Sequence, residues 1–380
     1  MKSASSFCSF LLLSVLASAA HQAAGQLPTS AAGVTSQITR PDSIQDEGYF
    51  GFMANASASI RAGGGVSGKV VLQGSPLLWD PVQVVLSCAP GKADLTANTD
   101  AGGSYVIDHV NVGKAFSMED DALSKQMIQH YEGCSLSAPL AGFHSTSVTI
   151  TQKNLRDDPY LQNIVLTPDE HAPGTAFSTV GESSSPDALK AFDKAHDDWL
   201  HQKYEAAQDE LKQAVQLSPQ FAEAWFMLGR LQLGSNAAAA EESFKKAHAA
   251  DPKYVPPCVM LAGLAMTRKN WSEAGQWTTT ALALDPGGTA RLWYFNAQAD
   301  YHLGRNEAAR TSAANALAMD PEHEVPHAEE LLALTLAAKG DYTDAAAHLK
   351  HSLNYITTGP SADLIKRQLA FMEQQSTAKK

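Results

Sequence analysis

Among its 380 residues the chain has no uninterrupted apolar run approaching the roughly 18 that a bilayer-spanning helix needs, so no transmembrane helix is expected. Its 28 Lys and Arg are outnumbered by 40 Asp and Glu, giving a formal net charge of -12, and the basic residues form no cluster. A surface built for nucleic-acid phosphates is thereby excluded. Cysteine is scarce, four in all, and no C-x-x-C pair occurs, which removes dithiol redox chemistry and ribbon-type metal sites. A G-x-S-x-G nucleophile elbow and a GxxxxGK[ST] phosphate cradle are missing as well. The run Gly63-Gly64-Gly65 has no strand and helix around it and reads as linker. What is left is an ordinary composition, 44% hydrophobic and 18% charged, on a chain long enough for two or three globular units.

The first 25 residues read as a signal peptide. A basic start at Lys2 leads into an apolar run from Phe7 to Leu16, followed by the small residues Ala17-Ser18-Ala19. An exported chain is expected, periplasmic or secreted, with association with the cell envelope left open. Cys8 precedes the apolar core, which argues against a lipid-modified cysteine at the cleavage site. Export permits disulfides, and Cys88 and Cys134, which share one strand-rich region, are the expected pair. Cys258 falls in helical sequence and reads as a buried small hydrophobe.

Residues 26–65 are rich in Ala, Ser, Gly and Thr with few large apolar side chains, so they read as a flexible leader. From residue 66 to 168 the pattern changes to short strand-like runs, VSGKVVLQG, PVQVVLSC, SYVIDHV, STSVTITQ and LQNIVLTP, separated by Gly, Pro, Asp and Asn. That spacing predicts an antiparallel β-sandwich of roughly 100 residues. The turn from Thr99 through Asp100-Ala101-Gly102-Gly103 to Ser104-Tyr105, with Gly68-Lys69-Val70 and Pro81-Val82-Gln83-Val84, resembles the hairpin of the carboxypeptidase regulatory-like domain, a transthyretin-like fold. CSLSAPLAGFHS is similar to its later strand and turn, whereas Phe116 to Tyr131 departs from the pattern as a polar, helix-prone insertion. The resemblance implies an accessory module, not a peptidase. Its likeness to starch-binding sandwiches keeps carbohydrate binding open.

Residues 169–185 read as a linker, and the sequence beyond them is Ala-rich and repetitive. Pro219, Pro252, Pro286 and Pro321 recur at intervals of 33, 34 and 35 residues, preceded by Ser218, Asp251, Asp285 and Asp320. Small residues keep the same register at Ala207, Ala240, Ala274, Ala309 and Ala345, and again at Ala214, Ala247, Ala281, Ala316 and Ser352. This resembles tetratricopeptide (TPR) repeats, paired helices that pack closely at small residues with a Pro closing each unit. About five units span residues 186–357, and 358–380 form a capping helix and tail with Ile365, Leu369 and Met372 on one face. Trp225, Leu228 and Gly229 match the first-helix pattern, with Trp293 again in the fourth unit. The expected fold is therefore a β-sandwich followed by an α-α superhelical solenoid.

One catalytic motif needs testing in this register. HEVPH, residues 323–327, fits H-E-x-x-H, whose two histidines serve a metal only when one helix carries both. Pro326 is favoured in a helix's first turn and drives Val325 out of helical geometry, so His323 and Glu324 are predicted in the turn and only His327 in the helix. No catalytic residue, metal or cofactor is expected.

In the family the first helices line a concave groove that binds extended peptides or partner helices. Helical projection places Phe192, Trp199, Phe226, Arg230, Arg291, Tyr294 and Tyr301 on that face, with Trp225, Leu228, Leu261 and Trp293 assigned to the core. Aromatic residues and arginines suit a protein or peptide partner, because such side chains dominate binding energy. For each aromatic the alternative is packing between neighbouring helices. The expectation is a non-enzymatic exported scaffold. The alternative function is carbohydrate or cell-envelope attachment through the sandwich, where Trp79 is the only tryptophan.

Overall fold

A computed structural model describes residues 66–73, 78–88, 95–107, 131–156, 158–320, 323 and 325–378. The stretches expected to be a signal peptide and a leader, and most of the polar insertion, lie outside these. The described residues divide between 328 and 329 into two compact units.

The first part of the larger unit contains eight strands: β1 (Val66–Leu72), β2 (Gln83–Ser87), β3 (Leu95–Asn98), β4 (Ser104–Ile107), β5 (Ser135–Ser137), β6 (Phe143–Ser145), β7 (Val148–Thr149) and β8 (Ile164–Pro168), with a short helix α1 (Gln152–Arg156) before the last. They form two four-stranded sheets, ordered β4-β1-β8-β6 and β3-β2-β5-β7. Alternation along β1, β2 and β4 sends Val66, Val70, Val84, Leu86, Tyr105 and Ile107 inward, and residues of both sheets belong to one hydrophobic cluster. The pairings are antiparallel with one exception: β1 and β8 run parallel, Val70 opposite Ile164. The sequence expectation of a wholly antiparallel arrangement is corrected there, because β8 enters from the α1 side, where Ser67 N–H donates to the Pro159 carbonyl. β3, the run LTAN, is a strand that the sequence reading passed over.

Two local devices hold the sheets. Asp100 Oδ1 accepts from the Gly102 and Ser104 amides at 2.9 and 2.8 Å, and Gly103 takes φ +80 with a Cβ position only 2.4 Å from the Val70 carbonyl oxygen. No side chain fits at Gly103, which explains the second glycine of the D-x-G-G turn. Cys88 and Cys134 are disulfide-bonded with Cα atoms 4.4 Å apart, tying the end of β2 to the start of β5.

The helices come in pairs. They are α2 (Pro186–Leu200) with α3 (Tyr204–Leu217), α4 (Ala222–Gln232) with α5 (Ala237–Ala250), α6 (Val255–Thr267) with α7 (Trp271–Leu284), and α8 (Ala290–His302) with α9 (Asn306–Ala318). In the second unit α10 (His327–Lys339, from residue 329) pairs with α11 (Tyr342–Ser352), followed by α12 (Gly359–Ala378). Ser185, Asn236, Asn270 and Thr289 cap their helices through side-chain oxygens. Each register position named above is fully buried: Ala207, Ala214, Ala240, Ala247, Ala274, Ala281, Ala309, Ala316, Ala345 and Ser352. Where helices approach this closely nothing larger than a methyl fits, and at Gly229 not even that, since its Cβ would lie 2.6 Å from the Phe244 ring. Within the second unit Ile365 and Met372 of α12 bury against Ala345 and Leu349 of α11, with Leu369 alongside, so α12 covers that pair's apolar face. Glu329 there accepts from His348 and His351, Oε2 to Nδ1 2.6 Å and Oε1 to Nδ1 2.7 Å. No described helix is long and apolar enough to cross a membrane.

The stretch read as a linker is instead a structured strap. The Thr175 N–H donates to the Lys253 carbonyl at 2.8 Å and its own carbonyl accepts from Val255 N–H at 3.0 Å, a backbone bridge onto the turn between α5 and α6. Ala176 N–H donates to Ala141, Phe177 enters the sheets' hydrophobic cluster, and Ser178 Oγ donates to Asp251 Oδ2 at 2.8 Å. Strand region and repeats are therefore fixed to one another within the larger unit. The Ser and Gly content of this stretch masked that, because its partners lie far off in the sequence, Ala141 35 residues before Ala176 and Lys253 78 residues after Thr175.

Candidate functional site

The first helices were expected to offer seven side chains to a partner, and the structure divides them into three groups. Phe192, Trp199 and Arg230 are covered by the chain itself. Leu78, Trp79 and Asp80 lie just before β2, and neighbouring residues part company: Leu78 packs into the sheets' cluster, whereas Trp79 belongs to the cluster of α2 and α4. The indole is only 1% exposed. Its ring centroid lies 5.2 Å from Phe192, 4.7 Å from His196 in edge geometry and 5.6 Å from Trp199, all three on one face of α2. Asp80, the next residue, accepts from Arg230 Nη1 at 2.8 Å. The guanidinium is 3% exposed and its carboxylate partner 30%, so this is a largely desolvated pair whose positive end is the buried one. The expectation that Arg230 is a solvent-facing residue is corrected, since an isolated buried cation is untenable and Asp80 supplies its counter-charge.

Phe226 is corrected for a different reason. It lies in the seam between helices, 5.6 Å from Phe244 and 5.2 Å from Tyr254 by ring centroid, and is fully buried. Conversely, Trp225 and Trp293, assigned to the core, are only partly buried, and each donates Nε1–H to the carbonyl six residues before it, Pro219 and Gly287. They close the turn between successive repeats. Leu228 and Leu261 are buried as expected of core positions.

The third group, on α8, stays partly open. Arg291, Tyr294 and Tyr301 are half-buried, and the Tyr294 hydroxyl accepts from Gln298 Nε2 at 2.8 Å. His302 beside them stacks on Trp271 with ring centroids 3.7 Å apart and planes 7° from parallel. Burial lowers its pKa, as it does that of His196, so both imidazoles are neutral at pH 7.

Electrostatically the α2–α4 region is unusual because it also buries an acid. Glu223, one turn before Phe226 and Met227, has its pKa raised to about 8, first by burial and then by the charge of Asp80. Trp79 Nε1 and His196 Nε2 find no hydrogen-bond partner among the described residues. Helical projection had Phe192, Trp199 and Arg230 on the groove face but missed that Trp79 and Asp80 cover them. A lone aromatic-acid pair in a turn, with a helical Arg among aromatics elsewhere, was the only available signal.

The motif HEVPH resolves as its proline requires. His323 has a left-handed backbone, φ 56, outside the helix that begins at His327, and Val325 N–H is held by Asp320 Oδ2 at 2.8 Å. Glu324 lies outside the described residues. Cys258 is buried 3.4 Å from His248 Nδ1, and burial pushes its thiol up to about 12, so no thiolate nucleophile forms there.

Two segments, residues 192–255 and 296–356, match a tetratricopeptide repeat family model. The matched helical segments are TPR repeats. Among solved structures the chain is similar to YrrB, a TPR protein with an unusual peptide-binding site, at 19% identity over 48% of this chain and 92% of that one, with a TM-score of 0.43. MamA from Desulfovibrio magneticus RS-1 aligns at 17% identity, covering 45% of this chain and 96% of that one, TM-score 0.40. PilW, a widely conserved type IV pilus biogenesis factor, aligns at 20% identity, covering 51% and 94%, TM-score 0.38. No curated protein matches.

Proposed function

We propose that this chain is a non-enzymatic exported scaffold that holds a protein or peptide partner on the first-helix face of its TPR repeats. Its parts are a signal peptide (1–25), a leader (26–65), a carboxypeptidase regulatory-like β-sandwich (66–168), a strap (169–185), about five repeats (186–357) and a terminal helix with its tail (358–380). The observation that carries the reading is the α8 face: Arg291, Tyr294 and Tyr301 lie half-buried on one helix, with enough exposed surface to meet a partner and enough packing to be held still. The disulfide between Cys88 and Cys134 supports an oxidising compartment. Carbohydrate attachment through the sandwich receives no such support, because Trp79, its only tryptophan, is buried among helices.

The test is affinity capture from the native envelope with the full chain as bait, wild type beside Arg291→Ala/Tyr301→Ala. A specific partner should be held about thirtyfold more weakly by the variant, the loss of roughly 2 kcal/mol typical of a hot spot. Equal retention by both baits, with both folded, would remove the α8 face from the account.

A further inference from the structure

The buried contact around Trp79 has the composition of a ligand site, although its occupant belongs to the same chain. An indole sits in a slot of three rings, Phe192, His196 and Trp199, and the adjacent carboxylate meets Arg230. The two contacts are made by consecutive residues of one segment, Trp79 and Asp80, and the side chains they meet lie on α2 and α4, the first helices of their pairs. Trp79 makes no part of the sheets' own hydrophobic cluster. The segment therefore does for the helices what an extended peptide would do: one aromatic anchor, one charge-assisted hydrogen bond.

The fit is incomplete in a specific way. His196 is 4% exposed, yet its Nε2 finds no partner among the described residues, and neither does Trp79 Nε1. Glu223 is buried beside the charge of Asp80. A tethered segment occupies its site at an effective concentration on the order of millimolar. A free peptide can displace it when that peptide supplies the hydrogen bond at His196 that the loop leaves unmade.

We propose, building on the scaffold reading above, that the cleft between α2 and α4 is a second peptide site, for an extended segment of another protein in which an aromatic residue is followed directly by Asp or Glu. Trp79–Asp80 is the built-in occupant that keeps this site closed until such a partner competes.

The experiment uses the full chain and a fluorescently labelled peptide with this chain's own sequence GSPLLWDPVQ, residues 74–83. By anisotropy, Trp79→Ala/Asp80→Ala should bind the peptide at least tenfold more tightly than wild type. Adding Arg230→Ala to the emptied chain, or replacing the peptide's Asp with Asn, should each take that gain away. No gain in a chain whose circular dichroism remains helical, or a gain indifferent to Arg230, overturns the proposal. Should the double variant fail to fold, Asp80→Asn alone, which leaves the indole in place, must still give a measurable gain. Wild-type dimers that the peptide dissociates would assign the cleft to a second copy and likewise overturn it. Capture through Arg291 and Tyr301 is read separately, so the scaffold reading stands or falls by its own experiment.

Discussion

Helices α4 and α8 occupy the same position in their repeats, yet they solve the same problem differently. Counted from Trp225 and Trp293, the residues Glu223, Phe226 and Arg230 of α4 correspond to Arg291, Tyr294 and Gln298 of α8. In α8 the buried position holds a neutral amide, and Gln298 is satisfied one turn back by the Tyr294 hydroxyl. Nothing from elsewhere in the sequence is required. In α4 that position is a guanidinium, and Asp80, 150 positions away in the sequence, accepts from it. Burying a charge commits a helix face to a distant partner, whereas burying an amide leaves the face free. On this account the first two repeats are closed by the chain's own segment and the fourth is left open for another protein.

The comparison breaks most visibly at Trp79. Trp79→Ala removes an indole filling a slot between three rings and should cost about 3–5 kcal/mol, the usual range for a buried tryptophan, measured by denaturant unfolding. A loss under about 1 kcal/mol would mean that the slot collapses without its occupant, and that α2 and α4 hold their arrangement alone.

The buried acid of α4 gives the next effect, and it depends on pH. Glu223 has a folded pKa of about 8 against 4.5 for the ordinary group, so the folded chain keeps a proton that the unfolded chain releases. Its contribution is fully present below pH 4.5 and is lost as pH rises through about 8. Glu223→Gln should therefore match wild type near pH 5 and exceed it in stability by a few kcal/mol near pH 9. Parallel stability curves for the two proteins would show that the Glu223 carboxyl is not buried in solution. The smallest effect should come from Tyr301→Ala without a partner, where the half-exposed ring costs only about 0.5 kcal/mol.

Much of the fold was legible because it is periodic. Prolines at 219, 252, 286 and 321 and the small residues between them place every helix pair, and burial of Ala207 through Ser352 follows from one spacing rule. Strand alternation placed β1, β2, β4 and β8, while β3 was too short and polar to stand out. The α8 face was readable for the same reason, since helical projection needs only local sequence. The closed face of α2 and α4 was not. Projection put Phe192, Trp199 and Arg230 on one side of their helices, but no local rule says what covers that side, and Thr175 or Asp80 reveals its partner only once the chain has folded.

Hydroxyl-radical footprinting of the full chain, read residue by residue by mass spectrometry, tests the division most directly because it measures side-chain access without any partner. Tyr160, 70% exposed, serves as the fully reactive reference. The account predicts that Trp79 and Phe192 are protected to the level of the buried core residue Phe244, while Tyr294 and Tyr301 react at intermediate rates. Trp79 modified as fast as Tyr160, with Tyr301 protected, would reverse the assignment of closed and open faces.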